Sequence, residues 1–133
     1  KRELRICNIN SFAEYFLQIF EKYKDDYHRA CLQLIEERSW FIKELRQIKY
    51  LRVIPSEGNY VLCQVLSPLS ANELAVWLLE KYKILIKDCS RKIGFEGKEY
   101  VRLAIRNRQD NSRLIESMKE MITMSQTGHR GVK

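Results

Sequence analysis

The residue whose type and position most clearly suggest chemistry is Arg102, which interrupts the apolar run Tyr100–Ile105. This run is rich in β-branched and bulky residues, so it predicts a short buried strand. Because a buried charge without a partner is costly, an arginine in such a strand needs an anion. That anion is either a carboxylate of the protein or a ligand carboxylate or phosphate held by both guanidinium nitrogens. The local pattern leaves both interpretations open.

Two further basic residues follow predicted strands. Lys87 ends the apolar segment Ile84–Ile86, and Arg106 ends the strand that carries Arg102. If the two strands are neighbours in a sheet, Lys87 and Arg102 can point at one anion. Taken alone, however, Lys87 and Arg106 are more typical of solvated surface charges.

Other kinds of catalytic site are not indicated. The chain has only two histidines, and its four cysteines form no C-x-x-C pair, so no metal site is predicted. The sequence also lacks a Gly-rich phosphate loop and a pair of acid–base carboxylates. Cys31 and Cys63 occupy apolar positions, which predicts reduced core thiols and favours a reducing cytoplasm. The chain therefore resembles part of a site more than a whole one, and we predict no catalytic residue in it.

The composition is that of one ordinary globular domain. The 133 residues are 45% hydrophobic and 31% charged, and no apolar run approaches the roughly 20 residues of a membrane span. The basic N-terminus is not followed by an uninterrupted apolar region, so no signal peptide is predicted. The net charge of +7 is compatible with a nucleic-acid partner. Because basic and acidic residues are interleaved and no recognition motif accompanies them, we expect neither nucleic-acid nor membrane binding.

The elements that must position Arg102 and Lys87 begin with helices. Asn10 and Ser11 offer cap residues, and apolar residues then recur at helical spacing over residues 12–23. The aspartates at 25 and 26 suit a helix start, so a second, long helix is predicted over residues 25–48. A helix of that length often joins two domains or packs on another chain.

The second half of the chain alternates strands and helices. Strands are predicted over residues 50–54 and 60–65, joined by the turn Ser56–Asn59. Ser70 and Glu73 form a capping box that opens a helix, and a last helix covers residues 109–124. The resulting order, α-α-β-β-α-β-β-α, predicts an α+β two-layer domain. Its sheet would be mainly antiparallel, with three or four strands, and covered by helices.

Four segments, taken in order and spacing, carry a resemblance to a known family: Asn8–Ser11, Pro55–Leu62, Ile84–Ser90, and Tyr100–Arg106 with Asp110–Asn111. Together they resemble the C-terminal part of fold-type-I pyridoxal-phosphate-dependent aminotransferases (class I/II). Within that family the chain looks most like histidinol-phosphate aminotransferase and threonine-phosphate decarboxylase. The resemblance covers about residues 6–124.

The resemblance implies roles for the two candidate residues. Arg102 matches the arginine that binds the substrate carboxylate in a bidentate pair. Lys87 matches a position that is usually arginine in histidinol-phosphate aminotransferases and helps to hold the substrate phosphate. Lysine keeps the positive charge of arginine but lacks the planar guanidinium that donates two parallel hydrogen bonds. The resemblance further implies a small domain that closes over an amino-acid substrate, a long helix that joins the two domains, and a homodimer.

The resemblance also implies what the chain lacks. In the family, the Schiff-base lysine, the aspartate on the pyridine nitrogen and the phosphate-binding cup lie upstream, in a large domain. We therefore expect this chain alone neither to bind pyridoxal phosphate productively nor to catalyse transamination. The expected layout is a linker from the missing large domain (1–10), the small domain (11–125) and a flexible tail (126–133). Two alternatives remain open: a stand-alone binding or regulatory module of the same fold, and a domain of a pyridoxal-phosphate-dependent amino-acid decarboxylase.

Overall fold

A computed structural model of the chain describes residues 10–95 and 97–127. The chain divides into two compact units, residues 1–33 and 34–133. The described part of the first unit is the N-terminal portion of a long helix. The elements, in chain order, are α1 (Ser11–Leu45), β1 (Leu51–Ile54), β2 (Tyr60–Val65), α2 (Ala71–Tyr82), β3 (Lys87–Asp88), β4 (Tyr100–Ala104) and α3 (Arg108–Thr127).

The strands form one four-stranded sheet in the order β1-β2-β4-β3, and all of its neighbours are antiparallel. The predicted α+β class with a mainly antiparallel sheet is confirmed. The predicted hairpin of the first two strands is β1–β2, whose register pairs Val53 with Cys63. The predicted capping box of α2 is also present, because the Ser70 hydroxyl accepts from the Glu73 N–H and the Glu73 carboxylate accepts from the Ser70 N–H.

The sheet buries one face against the helices of the second unit. In β1, β2 and β4 the inward residues are odd-numbered and pack with apolar residues of α2, α3 and the C-terminal part of α1. The core residues without solvent contact include Phe41, Leu45, Val61, Cys63, Leu74, Leu78, Val101, Leu103 and Met118. Side chains alternate along a strand, so the even-numbered residues of these strands point to the opposite face, as does Lys87 of β3, the partner of Arg102. We call this opposite side the open face, and most of its residues are exposed or half-buried.

Two local differences separate the structure from the sequence expectation. The helices predicted over 12–23 and 25–48 are one continuous helix, since no glycine or proline interrupts them and Asp26 pairs with Arg29 on the helix surface. The segment Ile84–Ile86 is not itself paired in the sheet, which β3 joins only at Lys87. The reason is that the Ile84 N–H donates to the Leu78 carbonyl, 3.1 Å away, where α2 ends.

The predicted ends of the chain fall mostly outside the described residues. This holds for residues 1–9 of the expected linker and for residues 128–133 of the expected tail. The last helix continues to Thr127, three residues beyond its predicted end.

A buried amide fixes the junction between β4 and α3. Asn111 is 1% exposed. Its Oδ1 accepts from the Arg106 N–H at 3.0 Å, and its Nδ2 donates to the Arg106 carbonyl and to Glu37 Oε1, each at 2.9 Å. Asn107 caps α3 by accepting from the Asp110 N–H at 2.8 Å. Asn111 therefore binds both the N–H and the carbonyl of Arg106, which follows the strand that carries Arg102.

Asn111→Asp is expected to lower the free energy of unfolding by about 2–4 kcal/mol, because the Arg106 carbonyl and the Glu37 carboxylate lose the N–H groups that now donate to them. The new carboxylate still accepts from the Arg106 N–H but faces the Glu37 carboxylate and a carbonyl. Urea unfolding measures the change. Gln109→Ala, at an exposed position of the same helix, is the control and is expected to change stability by less than about 0.5 kcal/mol. An equal loss in both variants contradicts the assignment.

Burial of Cys63 predicts a pH dependence of stability. Burial raises the pKa of its thiol well above its ordinary range, to about 12. The folded state therefore keeps a proton that the unfolded state releases, so this contribution is complete below about pH 9 and is lost as the pH rises toward 12. Between pH 8.5 and 10.5, the wild-type chain should lose about 2 kcal/mol more stability than Cys63→Ala. Urea unfolding at the two pH values tests this, and parallel losses in the two proteins would contradict it.

Candidate functional site

The sheet register brings together the two residues predicted to bind an anion. Lys87 of β3 and Arg102 of β4 are Cα partners in an antiparallel pair, and both side chains are exposed. Directly opposed residues project from the same face of a sheet with Cβ atoms about 5 Å apart. Like charges in this arrangement are destabilising. An anion bound between them would offset the repulsion and use both cations.

The expectation that Arg102 is buried is wrong. In β4, Tyr100, Val101 and Leu103 are buried, whereas Arg102 lies on the open face and is exposed. Water can therefore solvate its charge, and no burial penalty requires a partner. The structural alternative, an ion pair with a carboxylate of the protein, is not found within the described residues either, where no carboxylate lies within salt-bridge distance of the guanidinium.

The Arg102 guanidinium contacts an aromatic ring. The Arg102 Cζ lies over the Tyr60 ring, 5.4 Å from its centroid. Tyr60 pairs with Ala104, and Arg102 pairs with Leu62, so the ring and the guanidinium are diagonal neighbours on adjacent strands. From the sequence, Tyr60 is predicted only as a strand residue. The alternation of side chains along β2 and β4 could have placed it on the same face as Arg102.

The turn before Tyr60 is held by a buried arginine. Arg38 of α1 is 9% exposed. Its Nη1 donates to the carbonyls of Glu57 (2.5 Å) and Gly58 (3.2 Å), and its Nη2 pairs with the Glu57 carboxylate at 2.9 Å. Arg38 was not predicted as a site residue, although a charged position within the apolar stripe of a helix indicates a partnered cation.

The third cation of the sequence analysis, Arg106, is not part of this arrangement. Its Nε pairs with the Asp110 carboxylate at 2.7 Å, on the surface where β4 meets α3. It lines a separate cavity of about 340 Å³ with Lys83 and Arg113. Those two cations also have protein acceptors, the carbonyls of Glu80 and Tyr82. Arg106 therefore behaves as the surface charge that the sequence pattern also allowed.

The thiols offer no comparable site. Cys63 and Cys89 are buried and Cys31 is half-buried, while Cys7 lies outside the described residues. The thiol of Cys89 donates weakly to the Lys87 carbonyl, 3.7 Å away. Over the part of the chain that the structure describes, no group of histidine, cysteine and acidic residues is arranged to hold a metal ion. Over the same residues, no helix combines the length and apolarity that crossing a membrane requires.

The first unit presents aromatic residues to solvent. Phe12, Tyr15 and Phe16 of α1 are each more than half exposed, and Tyr23 is 48% exposed. Phe20 makes ring contacts with Phe16 and Tyr27 along the same helix. Large exposed apolar patches usually mark contact surfaces, so this part of α1 has the character of an interface.

Comparison with curated proteins identifies relatives of similar sequence. The chain is 32% identical over 115 residues to an L-serine phosphate decarboxylase of Campylobacter jejuni, covering 85% of this chain. It is 33% identical over 118 residues to a histidinol-phosphate aminotransferase of Methanococcus aeolicus, covering 89% of this chain. In both cases the aligned part is 29% of the relative, so the chain spans less than a third of these curated relatives.

The solved structures that resemble this chain are also a decarboxylase and a histidinol-phosphate aminotransferase. A decarboxylase from Sulfurospirillum multivorans superposes with a TM-score of 0.76 at 33% identity, over 86% of this chain and 32% of that one. The histidinol-phosphate aminotransferase from Clostridium acetobutylicum also superposes with a TM-score of 0.76, at 31% identity, over 90% of this chain and 35% of that one.

The sequence model of the family described as aminotransferase class I and II matches residues 10–118, which include every strand of the sheet and both candidate residues. This match covers most of the chain and agrees with the relatives and with the superposed structures. The chain therefore belongs to the class I and II aminotransferase family.

Proposed function

We propose that this chain is the small C-terminal domain of a pyridoxal-phosphate-dependent enzyme, in which Arg102 binds the substrate carboxylate. The observation that carries the proposal is the pairing of Lys87 with Arg102 on the open face. A planar guanidinium offers two parallel donors to a carboxylate, which orients the amino acid as well as holding it. Holding a substrate in a reactive orientation is itself a large part of catalysis.

The cofactor would be held elsewhere in the polypeptide. Class I and II aminotransferases use pyridoxal phosphate, which acts as an electron sink for the substrate when bound. The described residues of this chain do not make a cofactor cradle: the site consists of two exposed cations and a tyrosine on a sheet. The contribution proposed for this chain is therefore to bind and orient the substrate, and we assign it no catalytic residue.

Lys87 would bind a second anionic group of the substrate. Two of the relatives are named for phosphorylated compounds, L-serine phosphate and histidinol phosphate. A lysine serves as a compact point charge with rotatable donors, which suits a phosphate but does not impose bidentate geometry. A phosphorylated amino compound with its carboxylate on Arg102 and its phosphate near Lys87 would use both charges of the pair.

The first unit would connect this domain to the rest of the enzyme. The proposed partner of the exposed aromatic residues of α1 is the large cofactor domain, because the chain spans less than a third of its relatives. We extend the proposal to a homodimer, as the resemblance implies, located in the cytoplasm, as the predicted reduced thiols favour. Domain closure over the substrate would then bring the open face to the reacting atoms.

Decarboxylation is the second candidate reaction. It is favoured by two curated relatives named L-serine phosphate decarboxylase, from Campylobacter jejuni and Sulfurospirillum multivorans, at 32% and 33% identity. Both a decarboxylation and a transamination of an amino acid start from a substrate with a carboxylate, so the role proposed for Arg102 applies to either reaction. Incubating the full-length enzyme with O-phospho-L-serine separates them, because decarboxylation releases carbon dioxide whereas transamination yields an oxo acid.

Replacing Arg102 is expected to weaken substrate binding without affecting the cofactor. In the full-length polypeptide that carries this chain, Arg102→Ala should raise the KM for the amino-acid substrate by about tenfold to a hundredfold, since a charge-assisted pair is lost. The absorbance of bound pyridoxal phosphate should not change. Steady-state kinetics and absorption spectra measure the two quantities.

The matched control for this experiment is Arg52→Ala. Arg52 is also an exposed arginine of the open face, but it lies on β1 opposite Gln64, away from the Lys87–Arg102 pair. It removes the same charge and should leave the KM within about twofold. An unchanged KM in Arg102→Ala, or an equal increase in both variants, contradicts the proposed role.

A further inference from the structure

We propose that Tyr60 is a positioning residue for Arg102: its ring holds the guanidinium so that the donor edge faces the substrate carboxylate. The inference rests on the proposed function of Arg102 and adds a residue to it. It starts from the contact between the two side chains, in which the Arg102 Cζ lies 5.4 Å from the Tyr60 ring centroid. A cation over an aromatic face at this distance is attracted by the ring quadrupole.

The contact holds Arg102 without occupying its donors. Among the described residues, none accepts a hydrogen bond from the guanidinium of Arg102. An arginine held by a carboxylate donates its N–H groups to that partner, whereas a cation–π contact does not require an N–H group to be donated. The arrangement therefore restricts the side chain and leaves the N–H groups available to a ligand.

Lys87 favours the same position of the Arg102 guanidinium as Tyr60 does. The strand order β2-β4-β3 places Arg102 between Tyr60 on one neighbouring strand and Lys87 on the other. Repulsion from the lysine and attraction by the ring both favour a guanidinium displaced toward Tyr60. A long arginine side chain on an exposed strand would otherwise sample several rotamers, and binding a ligand would have to order it.

The ring itself stands on a fixed piece of backbone. The Tyr60 carbonyl accepts from the Ser56 hydroxyl at 2.5 Å, across the turn that precedes the strand. Arg38 holds the same turn through the Glu57 and Gly58 carbonyls. The Asn59 carbonyl accepts from the Ile105 N–H at 2.9 Å, which ties the turn to the end of β4. The backbone position of Tyr60 relative to β4, which carries Arg102, is therefore fixed by hydrogen bonds.

The hydroxyl of Tyr60 is not needed for this role. It makes no hydrogen bond to any residue in the described ranges, and Tyr60 is 44% exposed. A phenylalanine would keep the ring, whereas a leucine keeps an apolar side chain without a ring. Tyr60→Phe and Tyr60→Leu are thus a matched pair that separates the aromatic contact from general packing.

The first test is an NMR measurement on this chain. The aromatic ring should shift the side-chain Hδ and Hε resonances of Arg102 away from their usual positions. The displacement should persist in Tyr60→Phe and disappear in Tyr60→Leu, while backbone amide spectra show that both variants keep the fold. Arg102 resonances that are the same in all three proteins would overturn the inference.

The second test is kinetic and uses the full-length polypeptide. Tyr60→Leu should raise the KM for O-phospho-L-serine about twofold to fivefold, the factor that corresponds to the ~0.5–1 kcal/mol of an exposed cation–π contact. Tyr60→Phe should keep the KM of the wild type. In both variants kcat should change less than KM. A KM that is equal in Tyr60→Leu and the wild type would overturn the inference.

The outcomes distinguish this inference from the proposed function on which it rests. If Arg102→Ala raises the KM and Tyr60→Leu does not, the carboxylate role holds and the positioning role fails. If Arg102→Ala leaves the KM unchanged, the proposed function fails regardless of the result for Tyr60. If Tyr60→Phe is as defective as Tyr60→Leu, the hydroxyl and not the ring matters, and the positioning role fails.

Discussion

The geometry of the site depends on how one buried charge is satisfied. Arg38 lies on the inner side of α1 and is 9% exposed, where an unpaired guanidinium would cost several kcal/mol. Its acceptors are two backbone carbonyls and the carboxylate of the turn between β1 and β2. The turn has to adopt the conformation that presents these oxygens. Since β2 begins directly after it, the placement of Tyr60 follows from the requirement of Arg38.

Glu37, the residue beside Arg38, holds the neighbouring strand β4 at the same end of the sheet. Glu37 accepts from the buried amide of Asn111 and from the Arg108 guanidinium, 2.9 Å away in each case. Arg108 in turn lies over the Trp40 ring, 3.9 Å from its centroid. Two consecutive positions of one helix thus fix the turn before β2 and the junction after β4. These are the two strands that carry Tyr60 and Arg102, so their relative position is set from the buried side of the sheet.

Much of the fold could be predicted from the sequence, because it depends on local signals. The capping box at Ser70, the turn before Tyr60 and the alternating strands are read from neighbouring residues. The long-range features needed information that a single sequence does not contain. The exposure of Arg102 depends on which face the helices cover, and the end of the segment at Ile84 depends on a cap from α2. Arg38 and Asn111 did leave a signal, since each is a polar residue at an apolar position of a helix.

The arginines of this chain show how partners separate a structural cation from a binding cation. Arg38 is buried with its donors occupied by protein oxygens, and Arg106 is exposed but paired with a carboxylate. Arg102 is exposed, its guanidinium lies over an aromatic ring and forms no ion pair with a described residue, and its partner on the neighbouring strand is a lysine. Placing two like charges side by side does not help folding. Since folding does not require this pair of cations, the arrangement supports the proposal that a negatively charged ligand binds between them.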